Sequence, residues 1–297
     1  MLEVRELCKS FDGFAALRGL NIHVPRGAVY GLVGPNGAGK STAIRHIAGV
    51  YRQDAGEVLV DGEPVYENPA VKARIATIPD EIFFFNSATV RDMKNFYASM
   101  IPTFSQPRFE KLRAAFPLDE GQTVRRLSKG MQKQAAFWIA LSCCPELLVL
   151  DEPVDGLDPV MRRQVWSLLL QDVSERGTTV LVSSHNLREL EDVCDHVGIM
   201  NRGTMLLERP LAELQENLVK IQLALPEGQS LPEGLDILHE TRTGRLRQLI
   251  LRGKREELTA RLAACEPFFL DVLPLSLEEI FIYELGGEDH EIKSILL

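Results

Sequence analysis

The stretch AVYGLVGPNGAGKST, Ala28 to Thr42, decides the fold. Its first six residues, Ala28 to Val33, are a continuous apolar run of the kind that forms a buried strand. The nine that follow are Gly34, Pro35, Asn36, Gly37, Ala38, Gly39, Lys40, Ser41 and Thr42. They match G-x-x-x-x-G-K-[ST] after a strand and before a helix, where that pattern carries chemistry. The glycines let the backbone bend so that successive N–H groups face one phosphate. Lys40 adds a point charge for the β- and γ-phosphates, and Ser41 offers a hydroxyl to Mg²⁺. A bland glycine-rich turn is the competing reading, and the strand context decides against it.

Three downstream segments gain meaning beside this loop. LLVLDEP, Leu147 to Pro153, is an apolar strand ending in two carboxylates. Asp151 suits the Mg²⁺ shell, and Glu152, one residue on, is placed to orient and deprotonate an attacking water. SSHN, Ser183 to Asn186, closes another apolar strand, TTVLV. Parallel strands would carry Asp151, Glu152 and His185 to one sheet edge, where open α/β folds bind ligands. That makes His185 a candidate γ-phosphate sensor rather than a solvated strand end. LSKGM, Leu127 to Met131, precedes a helical run. Ser128 and Gly130 at a helix start offer free N–H groups and a hydroxyl to an anion, although a plain capped start reads the same way in isolation.

Outside these segments, strands and helices alternate. LEVREL alternates, and VLVDGEPV reads as a hairpin turning at Asp61-Gly62. The pattern turns helical from Thr89 to about Cys144, opening on a Thr89/Asp92 capping signal. Pro159 to Arg176 is a helix with proline in its first turn. After Pro210, VKIQLAL, a hairpin near Thr243-Gly244, the helix REELTARLAAC, the strand FFLDVL and the amphipathic helix SLEEIFIYEL make a second, smaller α/β domain. The tail beyond Gly286 is expected to fray.

Composition limits the partners. The chain has 297 residues, 45% apolar and 25% charged, with a net charge of -9, which argues against nucleic acid as a partner. Five cysteines without C-x-x-C spacing fit a reducing cytosol, with Cys143 and Cys144 as packed thiols at a helix end. No leader opens the chain, and the apolar window Ala135 to Leu150 is interrupted by Pro145 and Glu146, short of a membrane span. Any membrane role comes through a partner.

The order GPNGAGKST, LSKGM, LLVLDEP, GLDP, SSH resembles the nucleotide-binding subunits of ATP-binding cassette (ABC) transporters, over residues 1–212. The resemblance implies a P-loop NTPase of α/β class: a RecA-like core, an antiparallel β subdomain and a helical subdomain at about 88–145. A small C-terminal α/β domain follows at 218–285. It also implies ATP and Mg²⁺ as ligands and a head-to-tail dimer with an identical or paralogous cassette. Each ATP would be sandwiched between one P-loop and the partner's signature motif. Separate transmembrane permease subunits and a peripheral place on the cytoplasmic face of the cell membrane complete the expectation.

Residue by residue, Phe11 matches the aromatic that stacks on adenine, and Lys40, Glu152 and His185 the catalytic set. Ser41, Asp151 and Asp80 match the metal shell. Ser128, Lys129 and Gly130 would face the partner's γ-phosphate, and Asp158 of GLDP would tie the two sites together. Three departures stand out. Lys129 and Met131 replace the usual Gly and Gln; Lys129 either adds charge near the phosphate or runs its stem out to solvent. Asp80 replaces the Q-loop Gln and is shorter and acceptor-only. Phe11 replaces Tyr and keeps the stacking face.

LSKGM and SLEEIFIYEL are similar to ATPase subunits of bacterial ABC-2-type exporters for drugs, peptides or lipid-linked compounds. A non-transport ABC ATPase of translation or DNA repair is disfavoured by the single cassette and the absence of heptads. An ATP-gated sensor or assembly module is disfavoured by the intact Glu152.

IPDEIFFFN, Ile78 to Asn86, falls on the Q-loop. Phe83, Phe84 and Phe85 cannot all face one core. One or two are expected to fill the core beneath the helical subdomain, and at least one to line the cleft where a permease helix docks.

Overall fold

Alternation in the opening residues builds the first strand. β1 (Leu2–Phe11) buries Leu2, Val4 and Leu7 and exposes Arg5, with a bulge at Glu6, where φ is 47°. The computed structural model describes residues 1–85, 87–226 and 229–284. β2 (Phe14–Val24) pairs antiparallel with β1. β3 (Val29–Val33), buried at every residue, leads through the glycine-rich loop into α1 (Lys40–Ile47). β4 (Ala55–Val60) returns to β1, and β5 (Glu63–Pro64) folds back on it at Asp61-Gly62, both with positive φ as a tight hairpin turn requires. These four strands form one antiparallel sheet in the order β2-β1-β4-β5.

After α2 (Pro69–Lys72) and β6 (Ile75–Ile78), the helical stretch divides into three: α3 (Val90–Met100), α4 (Gln106–Leu112) and α5 (Lys129–Ser142). Thr89 and Asp92 form the expected capping box at α3. The Phe109 and Trp138 rings stack at 4.3 Å between α4 and α5, and Trp138 Nε1 donates to the Phe109 carbonyl at 2.7 Å. Cys143 caps the end of α5, and burial pushes its thiol up to about 12, so it acts as packing.

β7 (Leu147–Asp151), α6 (Pro159–Arg176) and β8 (Thr179–Ser184) restore the alternation. Asp158 caps α6 by accepting from Val160 and Met161, and Gly177, at φ 70°, ends it. Two strands were not anticipated: β9 (His196–Asn201) and β10 (Thr204–Pro210). The apolar run in β9 is only a few residues long, and its partner is β3, far away in sequence. Local pattern carries little of such a strand. The second sheet runs β10-β9-β3-β8-β7-β6.

The chain forms two compact units. One comprises Met1–Asn186 with Val193–Glu208; the other comprises Leu187–Asp192 and the chain from Arg209 onward. In the second unit, α7 (Leu211–Glu216) precedes β11 (Leu218–Ala224), β12 (Asp236–Thr243), β13 (Leu246–Arg252), α8 (Arg255–Ala263), β14 (Phe269–Leu273) and α9 (Leu277–Glu284). Its sheet, β12-β13-β11-β14, is antiparallel throughout. Ile221, Leu223, Leu249 and Leu251 bury one face of it together with Leu258 and Leu262 of α8. The expected frayed tail lies outside the described residues. Among the described residues, no helix is long and apolar enough to cross a membrane.

Candidate functional site

Register places the site. In the parallel sheet Val33 is level with Ser184, and Asp151 is level with Ser183. The ends of β3, β7 and β8 therefore share one edge, and the residues that follow them meet there.

The loop after β3 leaves no room for a side chain at Gly34 or Gly39. A Cβ on Gly34 would lie 2.3 Å from the Met200 carbonyl oxygen, and one on Gly39 2.9 Å from that of Ala16. Gly39, at φ 104°, also starts α1. Asn36 and Gly37 are exposed at the tip, and Ala38 is buried, donating to the Pro35 carbonyl. Lys40 is only 6% exposed. Its ammonium donates to the Gly34 carbonyl at 2.6 Å and to that of Pro35 at 3.4 Å, and stands 3.5 Å from Glu152 Oε1. Ser41 and Thr42 follow in the first turn of α1.

Asp151 is buried and accepts from the Ser183 hydroxyl at 2.6 Å; that hydroxyl in turn accepts from the Glu152 N–H at 3.1 Å. The other carboxylate oxygen of Glu152, Oε2, lies 3.0 Å from His185 Nδ1 and accepts from the His185 N–H at 3.4 Å. Lys40, Glu152 and His185 thus form a continuous polar chain, with His185 at its exposed end. Phe11, 39% exposed at the end of β1, meets Tyr51 edge-on at 5.5 Å, with Lys9 Nζ over its ring.

Ser128 caps α5, accepting from the Met131 N–H, and is exposed with Lys129 beside it. At Gly130 a Cβ would lie 2.9 Å from the Gly156 carbonyl oxygen, so glycine lets the start of α5 approach the turn ahead of Asp158. Asp80, 55% exposed, faces Lys133 Nζ at 3.7 Å.

Three site residues escaped the sequence reading. Ser183 was visible only as a strand end. Asp155 brings a carboxylate within 4.8 Å of the Glu152 and His185 ligand atoms. Lys133, buried on α5, carries no local signal of its role.

The expectation for the phenylalanines is corrected in part. None of the three rings is buried: Phe83 is 80% and Phe85 50% exposed, and Phe84 is half-buried. Phe85 packs edge-on against Phe96 instead. Phe83 and Phe84 line a cleft of about 440 Å³ with Ile44, Tyr97 and Ile139, where open space beside β6 leaves the Phe83 ring uncovered.

A glycine-rich loop ending in Lys40 and Ser41 after one strand, a carboxylate pair at the end of a second and a histidine at the end of a third, all on one parallel sheet, define a P-loop ATPase. The family model of the ABC transporter matches residues 17–155. The chain is 31% identical to the ABC transporter ATP-binding protein YtrB of Bacillus subtilis (strain 168), over 97% of this chain and 99% of that protein. It is 32% identical to the bacitracin transport ATP-binding protein BcrA of Bacillus licheniformis, over 73% and 72% respectively. A solved ATP-binding subunit of an ABC transporter aligns at TM-score 0.68 and 26% identity, covering 72% of this chain and 92% of that one. The chain belongs to the ABC transporter ATP-binding proteins. It is an ATP-hydrolysing subunit that powers transport.

Proposed function

We propose that this subunit drives an exporter of a drug, peptide or lipid-linked compound, hydrolysing ATP at the sheet edge where Lys40, Asp151, Glu152 and His185 meet. The shared register of β3, β7 and β8 carries the reading. Phe11 stacks on adenine, and the loop N–H groups from Gly34 to Thr42 cradle the phosphates. Lys40 exchanges its carbonyl and Glu152 partners for phosphate oxygens. Glu152 takes the proton of the attacking water, and His185, bonded to Glu152, faces the γ-phosphate. Ser41 and Asp151 supply oxygen-only donors that suit Mg²⁺, which when bound neutralises phosphate charge. Most of the rate comes from positioning and electrostatic stabilisation.

Ser128, Lys129 and Gly130 reach the ATP of a second cassette, identical or paralogous, with Asp158 linking the two sites. The exposed start of α5 supports this arrangement. A short helix of a separate transmembrane permease subunit docks in the cleft of Phe83 and Phe84 on the cytoplasmic face of the membrane. Residues 1–212 act as the ATPase domain and 218–285 as an accessory domain. Steady-state ATPase assays, with copurification of a membrane subunit and identification of it by mass, test the reading. ATPase activity without any membrane partner would overturn the proposed exporter assembly.

A further inference from the structure

Lys133 stands out among the described residues of the site. It is a lysine 6% exposed, in the second turn of α5. A buried ammonium has three donors and no acceptor, and it persists only where fixed oxygens receive it. Two oxygens do. The Glu152 carbonyl accepts at 2.7 Å, and Asp80 Oδ1 lies 3.7 Å away.

Glu152 needs such support. Its φ of 46° is in the left-handed region, which costs a side-chain-bearing residue. Both of its backbone polar groups are held by side chains: the N–H by Ser183 and the carbonyl by Lys133. With the peptide groups on both sides of its Cα pinned, the carboxylate is aimed at Lys40 and His185.

We infer that Lys133 is a positioning residue for Glu152, charge-paired with Asp80, so that the Asp80 loop, the helix beginning at Ser128 and the carboxylate of Glu152 move as one. The inference rests on Glu152 as the base. It explains why an acid stands at position 80: its charge offsets the ammonium that holds Glu152. A neutral side chain there would leave Lys133 buried against a carbonyl alone.

The test uses the full chain with Lys133→Met, Lys133→Arg, Asp80→Asn, the double variant Lys133→Met/Asp80→Asn, and Glu152→Gln as control. Steady-state ATPase activity, affinity for a fluorescent ATP analogue and melting temperature are read for each. Lys133→Met is expected to lower kcat by about 10- to 100-fold, the cost of a base displaced by roughly an ångström, with KM and nucleotide affinity within about twofold. Lys133→Arg should recover most of that loss. Asp80→Asn, an exposed change that spares the core, should lower kcat less, and the double variant should be no worse than Lys133→Met.

Full turnover in Lys133→Met overturns the inference, as do additive losses in the double variant. A fall in affinity and melting temperature matching the fall in kcat would mean that Lys133 only holds the fold, and overturns it too. Should Lys133→Met fail to fold, an unchanged kcat in Asp80→Asn overturns it. If Glu152→Gln turns over like wild type, the base assignment falls and takes this inference with it. An inactive Glu152→Gln beside a fully active Lys133→Met removes this inference alone.

Discussion

The ammonium of Lys40 stands 3.5 Å from Glu152 Oε1, so the loop after β3 and the end of β7 are held together by charge across the nucleotide site. If Lys40 grips the phosphates as proposed, ATP entry breaks this contact, because both need the same ammonium. Lys40→Ala is therefore expected to weaken nucleotide binding itself, as titration with a fluorescent ATP analogue would show. Normal affinity in that variant would remove Lys40 from the phosphate site.

Glu152→Gln keeps the shape and removes the proposed base. Turnover should fall by about 10²–10⁴-fold while ATP still binds. Unchanged turnover would exclude Glu152 as the catalytic residue.

Gly34→Ala forces a methyl to within 2.3 Å of the Met200 carbonyl, a backbone atom that cannot swing aside. Overpacking of this kind costs about 1–3 kcal/mol. A lower melting temperature and weakened ATP binding are expected together; a variant as stable as wild type would show that the loop has slack.

Arg108 joins the helical region to α6 by pairing with Asp172, which is almost wholly buried, and Arg108 Nε also donates to the Leu141 carbonyl at 2.9 Å. Burial pushes the Asp172 carboxyl up despite the guanidinium. Arg108→Met leaves a buried acid unpaired and should cost about 3–5 kcal/mol, whereas Arg108→Met/Asp172→Leu should cost much less. Equal losses by chemical denaturation would show that the pair is not coupled.

Glu279 in the second unit carries a pH dependence. Burial pushes its carboxyl up, but the Lys220 ammonium at 2.7 Å and the N–H and hydroxyl of Ser276 outweigh it and hold it below the ordinary value of 4.5. A depressed acid adds stability that is complete above its unfolded value and lost as pH falls through the folded one. Hydrogen-exchange protection of β11 and α9 should drop on acidification below 4.5, and Glu279→Gln should flatten that drop. An identical profile in the variant would assign the pH dependence elsewhere.

Phe83, almost fully exposed, and the half-buried Phe84 line one cleft. If a permease helix docks there, Phe83→Ala should weaken copurification by about tenfold, the loss of one anchor, and leave basal ATPase unchanged. Undiminished copurification would move the docking site.

The sequence by itself determined the local chemistry. Apolar runs set β3, β7 and β8, glycines placed the loop after β3, Thr89 with Asp92 capped α3, and Pro159 marked the start of α6. Each of these signals lies within a few residues of the structure it specifies. Only the tertiary structure decided what meets across long separations. It paired the short β9 with β3, set Ser183 beside Asp151, and left Phe83 and Phe85 uncovered. It also carried Lys133 from an unremarkable helix position to the Glu152 carbonyl. Register and burial are properties of the assembled sheet, so no window of neighbouring residues encodes them.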